Sequence, residues 1–155
     1  MNSFMRCVSR TARCASLYRG EKLEKLGLNG CHHTYILAIC RTPGISQEQL
    51  SRTIYINNSN VTRQLTFLEQ NGFVTRTPDG EDRRIMRVYP TQKALDAYPV
   101  VLEVLEQWQD FVMEDFSPEE REELTRLMQR VNEKAAAYAE GRLAPKERRE
   151  GGEVR

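Results

Sequence analysis

Five arginines between residues 63 and 87, together with a run of small polar side chains, lie in the middle of the chain. A guanidinium such as that of Arg63 can donate two hydrogen bonds to O6 and N7 of guanine. Asn, Gln, Ser and Thr side chains can reach base edges or phosphates. These residue types predict contacts with a polyanion. They are Ser59, Asn60, Thr62, Arg63 and Gln64 in the polar run, and Arg76, Arg83, Arg84 and Arg87 beyond it.

The charge distribution supports this interpretation. Residues 41–93 carry eight Lys and Arg against five Asp and Glu, whereas residues 94–140 carry four against twelve. The net charge of +1 conceals this asymmetry. The basic middle could face a polyanion, and the acidic segment is typical of a solvated helix surface.

Length and composition exclude several classes of protein. A chain of 155 residues with 39% hydrophobic and 29% charged residues fits one domain, with or without an extension. No apolar run is long enough to span a membrane, so we expect no membrane partner and a cytoplasmic location. The sequence has no Gly-rich phosphate loop, nucleophile elbow or HExxH motif, and therefore predicts neither an enzyme nor a bound cofactor.

The elements that position the polar residues follow from periodicity and capping signals. Helices are predicted over residues 4–26 and 31–41. A short helix is predicted to begin after Ser46, its N-cap, and a further helix is predicted over about 59–71, after Asn57 and Asn58. The runs FVTRTP and RRIMRVYP flank the turn DGED and predict a β-hairpin. The order of a short helix, a turn, a second helix and a hairpin is that of a winged helix-turn-helix.

Two long helices are expected after the hairpin. Thr91 caps the first, whose heptad-like apolar positions are Leu95, Tyr98, Leu102, Leu105, Val112 and Phe116. Ser117-Pro118-Glu119-Glu120 forms a capping box for the last helix. Residues 141–155 are expected to form a disordered basic tail.

The segment from Asn57 to Arg76 and the following DRRIMRVYPT resemble the MarR (multiple antibiotic resistance regulator) family of bacterial transcription factors. Asp82, Arg84 and Thr91 match the family's wing pattern. The stretch Leu65–Val74 and the Pro43-Gly44 turn match as well. The chain departs from the family at Pro90, where Leu is usual, and at Ala94, where Gly is frequent.

The resemblance implies a mainly α fold with a small β-hairpin wing. Residues 1–140 would form a single domain, with 31–91 as the winged helix-turn-helix lobe and 4–30 and 92–140 as dimerisation helices. The resemblance further implies a homodimeric repressor of a pseudo-palindromic operator in double-stranded DNA. Arg84 would be the wing arginine, held by a charge-assisted bond to Asp82.

Two further hypotheses concern how such a regulator would be controlled. A small-molecule effector could bind beside Tyr18, His33, Tyr35 or Trp108, because His33 occupies a position near the family's effector pocket. A redox-sensing alternative uses Cys7 or Cys14, although neither aligns with the thiol position of the family's oxidant sensors. A metal site is not predicted at Cys31, His32 and His33, because adjacent helical residues point about 100° apart. A winged-helix protein-interaction module that does not read DNA is the remaining alternative.

Overall fold

The computed structural model describes residues 3–143 and consists mostly of helices with one small antiparallel sheet. This architecture confirms the predicted fold class. A short 3-10 helix, Glu24–Leu26, follows the first helix. The α-helices are α1 (Phe4–Leu23), α2 (His32–Arg41), α3 (Gln47–Thr53), α4 (Asn58–Gln70), α5 (Gln92–Val112) and α6 (Pro118–Leu143), and the strands are β1 (Ile45–Ser46), β2 (Val74–Pro78) and β3 (Met86–Pro90).

The chain divides after Asp115 into two compact units. The first unit contains α1 to α5 and the sheet, and the second contains α6. Within residues 3–143, no helix has both the length and the apolarity needed to cross a membrane.

The predicted helix starts are confirmed by their capping bonds. Ser46 Oγ accepts from the Gln49 backbone N–H at 3.1 Å, and Gln49 Oε1 accepts in return from the Ser46 N–H at 3.0 Å. Ser117 and Glu120 form the same reciprocal pair at the start of α6. Such boxes satisfy backbone donors that a helix leaves unpaired at its first turn.

The sheet contains one strand that the sequence did not predict. Its order is β1-β3-β2, and Ile45 and Ser46 of β1 pair with Val88 and Arg87 of β3. The hairpin itself is confirmed, but its second strand begins at Met86. Arg83, Arg84 and Ile85 therefore lie in the connecting loop, which lengthens the wing beyond the predicted DGED turn.

The core of the first unit gathers apolar side chains from α2, α4, the sheet and α5. In α5 the buried residues are Ala94, Ala97, Val101 and Val104. Among the predicted heptad positions, Leu95 is exposed and Leu102 is half-buried, whereas Tyr98 and Leu105 are half-buried and pack against the core.

The last helix is longer than predicted. It extends through Leu143, so residues 141–143 are helical and do not belong to the expected tail. The rest of that tail, residues 144–155, lies outside the described residues. Along α6, Leu127, Met128 and Val131 are each about 40% exposed, which leaves an apolar stripe uncovered in the single chain.

Candidate nucleic-acid interface

The turn between α3 and α4 sets the position of the predicted recognition helix. Tyr55 adopts a left-handed backbone conformation with φ of 54°. The buried Ser51 hydroxyl donates to the Ile56 carbonyl at 2.6 Å. Asn57 then caps α4, because its Oδ1 accepts from the Asn60 N–H at 2.9 Å. These local bonds fix the direction in which α4 leaves the turn.

The five polar residues predicted for groove contact all lie in the first two turns of α4. Ser59, Thr62 and Arg63 are exposed, whereas Asn60 and Gln64 are half-buried. Arg63 Nη2 donates to Asn60 Oδ1 at 3.1 Å, which orients the guanidinium along the helix surface.

Thr62 is more constrained than the sequence suggested. Its hydroxyl donates to the Asn58 carbonyl at 2.9 Å and accepts from Gln47 Nε2 at 2.6 Å. The hydroxyl proton of Thr62 is therefore already donated within the chain, and the hydrogen bond from Gln47 to Thr62 connects α3 to α4.

The wing loop is organised by the carboxylate of Asp79. Its Oδ1 accepts from the backbone N–H groups of Glu81 and Asp82, and its Oδ2 accepts from Arg87 Nε at 2.6 Å. The pKa of Asp79 is lowered to about 2, first by the Glu81 N–H and then by Arg87. The charged carboxylate thus holds the loop in one conformation.

The side chain of the wing arginine, Arg84, projects into solvent. Arg84 Nε donates to Asp82 Oδ1 at 3.2 Å, and the Arg84 side chain is 92% exposed. Arg83 beside it is exposed as well. The Asp82–Arg84 bond predicted from the resemblance is present in the structure.

Two of the predicted phosphate contacts are engaged inside the lobe. Arg76 donates to the Glu69 carboxylate at 2.6 Å, and the pKa of Glu69 is lowered chiefly by this side-chain hydrogen bond. Arg87 donates to Asp79 and, through Nη1, to the Gly44 carbonyl at 3.2 Å. Of the five arginines predicted to contact DNA, those with exposed side chains are therefore Arg63, Arg83 and Arg84.

Some of the residues proposed to line an effector pocket come together. The rings of Tyr18 in α1 and Trp108 in α5 lie 5.2 Å apart, and Phe111 extends the cluster. His33 Nδ1 bonds to the Gly30 carbonyl, and burial is the main cause of its lowered pKa. Tyr35 is fully buried in the core and does not face solvent.

Cys7 and Cys14 are both exposed on α1. Seven helical residues separate their Cα atoms by about 10 Å, and a disulfide needs less than about 7 Å. The two thiols therefore cannot pair within one chain while α1 is intact.

The sequence did not predict the residues that hold the candidate DNA-contacting side chains in place. His32 Nε2 lies 2.9 Å from Gln64 Oε1, and the His32 side chain is completely buried. Glu69, Asp79 and Gln47 likewise act through side chains brought near by folding. The spacing of Asp79 and Arg87 across a predicted hairpin was the one signal available in the sequence.

Comparison with known proteins agrees with this architecture. Residues 32–86 match the model of the MarR family. The chain is 28% identical over 131 residues to the HTH-type transcriptional regulator YybA of Bacillus subtilis, covering 84% of this chain and 87% of that protein.

Solved structures share the fold. A MarR transcriptional regulator from Methanosarcina mazei superposes with a TM-score of 0.82 at 26% identity, covering 86% of this chain and 96% of that one. A MarR family structure from Listeria monocytogenes, complexed with a 26mer DNA, gives a TM-score of 0.82 at 23% identity over 94% of this chain and 98% of that one. That second likeness establishes the fold. The matched domain, the similar regulators and the winged helix-turn-helix architecture agree that this chain is similar in sequence and fold to the MarR family of transcriptional regulators, with the family match spanning residues 32–86.

Proposed function

We propose that the chain binds duplex DNA with sequence preference, placing α4 in the major groove and the wing loop in the neighbouring minor groove. The observation that carries this proposal is the division among the arginines. Arg76 and Arg87 are used in ion pairs within the lobe, whereas Arg63 on α4 and Arg84 on the wing are exposed. Arg63 would contact guanine, and Arg84, steadied by Asp82, would enter the minor groove. Ser59, Asn60, Thr62, Gln64 and Arg83 would add base-edge or phosphate contacts.

The proposal includes a homodimer that represses by occupying a promoter. Its support is the apolar surface that the single chain leaves uncovered, at Phe4 and Leu17 of α1 and at Leu127 and Val131 of α6. The dimer contacts would come from residues 4–30 and 92–140. Residues 31–91 would form the lobe that reads the DNA sequence, here called the reading lobe. A two-fold dimer would place its recognition helices about 34 Å apart, one turn of DNA.

A small-molecule effector would act by favouring a dimer conformation that does not fit the operator spacing. The aromatic cluster of Tyr18 and Trp108 is the surface we assign to it, because the two rings lie 5.2 Å apart and Trp108 is only half-buried. The chain contains one tryptophan, so quenching of its fluorescence reports ligand binding there without interference.

The first test measures binding to the DNA upstream of the chain's own gene against a scrambled duplex of equal length, over a salt series. We expect tight binding to the native duplex, with log affinity falling linearly as log salt rises. Equal, weak binding to both duplexes would contradict sequence-specific reading of that promoter. Absence of binding to either duplex at low salt would favour a winged-helix module that contacts protein instead.

A further inference from the structure

The buried side chain of His32 is joined by hydrogen bonds to the reading surface of α4. We propose that His32 is a positioning residue that fixes which polar groups of Asn60 and Gln64 face the DNA. This inference rests on the proposed function and deepens it, because it assigns a determinant of base preference that does not itself touch DNA. The polar chain consists of His32, Gln64, Asn60 and Arg63.

The first bond of the polar chain determines the tautomer of His32. The Asn29 backbone N–H points to His32 Nδ1 at 3.1 Å, and a backbone N–H can only donate. Nδ1 must therefore carry the lone pair and Nε2 the proton. The Nε2–H then donates to Gln64 Oε1 at 2.9 Å. Burial lowers the pKa of His32 and so favours this neutral form.

The second bond carries this orientation to the surface. Because Gln64 Oε1 accepts from His32, its amide Nε2 is turned toward Asn60 and lies 3.4 Å from Asn60 Oδ1. Arg63 Nη2 donates to the same oxygen at 3.1 Å. Asn60 Oδ1 is thus occupied by two donors, and the NH₂ of Asn60 is the group that remains for an outside partner.

The polarity of Asn60 matters for base preference. A free Asn pairs with adenine by using its oxygen and its NH₂ together. Asn60 with its oxygen engaged offers donors alone, which suit acceptors such as purine N7, guanine O6 or thymine O4. The polar chain therefore predicts a preference for acceptor groups at the base pair facing Asn60.

The placement of His32 is rigid. The ring has no exposed surface, and it stacks on Phe67 with centroids 4.8 Å apart and planes 21° apart. Phe67 lies three residues beyond Gln64, so His32 contacts α4 at two points nearly one turn apart. A hydrogen bond in such a desolvated place holds its geometry better than one at the surface.

The test compares the full-length protein with His32→Phe and with His32→Gln. Phe keeps the aromatic stack on Phe67 but removes the donor, whereas Gln retains a donor near the position of Nε2. Base preferences are measured by selection from duplexes randomised across the operator, and a scrambled duplex reports sequence-independent affinity. We expect His32→Phe to reduce discrimination at one base pair in each half-site about fivefold, the size of one lost hydrogen bond. Binding to the scrambled duplex and its salt slope should not change, and His32→Gln should restore discrimination.

A second variant covers the case in which His32→Phe folds poorly. Gln64→Met interrupts the polar chain from the half-exposed side of α4 and should lose discrimination at the same base pair. The double variant should be no worse than either single variant, since both break one chain. Additive losses would mean that Gln64 and His32 act on base preference independently of one another, and would overturn the proposal.

Nitrogen-15 NMR of the free protein separates this inference from DNA binding. We expect His32 to be neutral at pH 7, with its proton on Nε2, and the Asn60 side-chain amide signals to shift in His32→Phe. The opposite tautomer, or unchanged Asn60 signals, would overturn the inference. If a folded His32→Phe variant discriminates among bases as well as the wild type does, only this inference is contradicted. A wild-type protein without any base preference would contradict the proposed function as well.

Discussion

The guanidinium of Arg76 lies 2.6 Å from the carboxylate of Glu69 and thereby connects the first wing strand to α4. Arg76 also donates to Thr66 of the same helix at 3.3 Å, and its own side chain is only 18% exposed. The arginine that looked like a phosphate contact in the sequence is a link between two elements of the reading lobe.

Replacing Arg76 with alanine should therefore affect folding more than DNA affinity. We expect a loss of about 1 kcal/mol in the free energy of unfolding, since the pair is partly exposed and screened. Urea denaturation measures this loss, and Arg83→Ala on the exposed wing is the matched control. Normal stability with weakened DNA binding in Arg76→Ala would show that this side chain contacts phosphate.

Arg63 and Arg84 should respond differently to alanine substitution. Arg84→Ala should weaken binding to every duplex and lower the magnitude of the salt slope by about 1, because a positive charge between the phosphates of the minor groove is lost. Arg63→Ala should in addition relax sequence preference, at a cost of about 1–3 kcal/mol on the preferred site. Titrations of the operator and a scrambled duplex separate these effects. Unchanged affinity in both variants would refute the assignment of α4 and the wing to the grooves.

Glycine is required at position 30 because of a close approach between two segments of the first unit. A Cβ added to Gly30 would lie 2.4 Å from the Ser16 carbonyl oxygen, which belongs to the backbone of α1 and cannot turn away. Gly30→Ala should lower the melting temperature by several degrees, in line with a strain of about 1–3 kcal/mol. Gly80→Ala is the control, since a Cβ there meets nothing within 4 Å. Equal melting temperatures for the two variants would contradict this packing.

Tyr35 buries a hydroxyl that has no hydrogen-bond partner within the described part of the chain. Burial raises the pKa of this phenol to about 12. Tyr35→Phe removes the unpaired group while leaving the ring in place, and should raise the free energy of unfolding by up to about 1 kcal/mol. Chemical denaturation of the two proteins tests this directly, and a destabilised Tyr35→Phe would reveal that the hydroxyl is paired in solution.

Stability should fall as the pH falls from about 7 to 5. Burial is the main cause of the lowered pKa values of His32 and His33, whose ordinary value is 6.5. The unfolded chain therefore takes up protons in this range that the folded chain does not, which favours unfolding. The acidic groups with lowered pKa values, Asp79 among them, lose their contribution only at lower pH.

Urea denaturation at a series of pH values checks this expectation. The chain has two histidines, so His32→Phe and His33→Gln should each flatten the dependence of stability on pH between about 7 and 5. A profile that keeps its slope in the double variant would assign the effect to other groups.

The sequence predicted those parts of the structure that depend on neighbouring residues. The capping pairs Ser46–Gln49 and Ser117–Glu120 are separated by three residues, and their geometry follows from helix formation alone. The strand Ile45–Ser46 could not be predicted, because two residues are too few to show alternation and the strand exists only through its pairing with β3.

The same distinction applies to the candidate interface. The order of the polar residues on α4 followed from periodicity, but their internal partners did not. His32 is 32 residues from Gln64 along the chain, and only the packing of α2 against α4 brings the two together. Likewise, the apolar pattern of α5 could not tell which of its apolar side chains the chain itself covers: Tyr98 and Leu105 pack against the core, whereas Leu95 is exposed.

The central position of β3 in the sheet constrains how this lobe can change shape. β3 pairs on one side with the strand that precedes α3 and on the other with the outer strand of the wing. Tilting the wing hairpin alone would break the hydrogen bonds between β1 and β3, whereas turning the lobe as one piece breaks none of them. In the proposed dimer, the spacing between major-groove and minor-groove contacts is then constant within each half, and a signal could tune only the separation between the halves. Operators that differ in the length of the spacer between their two half-sites should therefore differ in their affinity for the dimer.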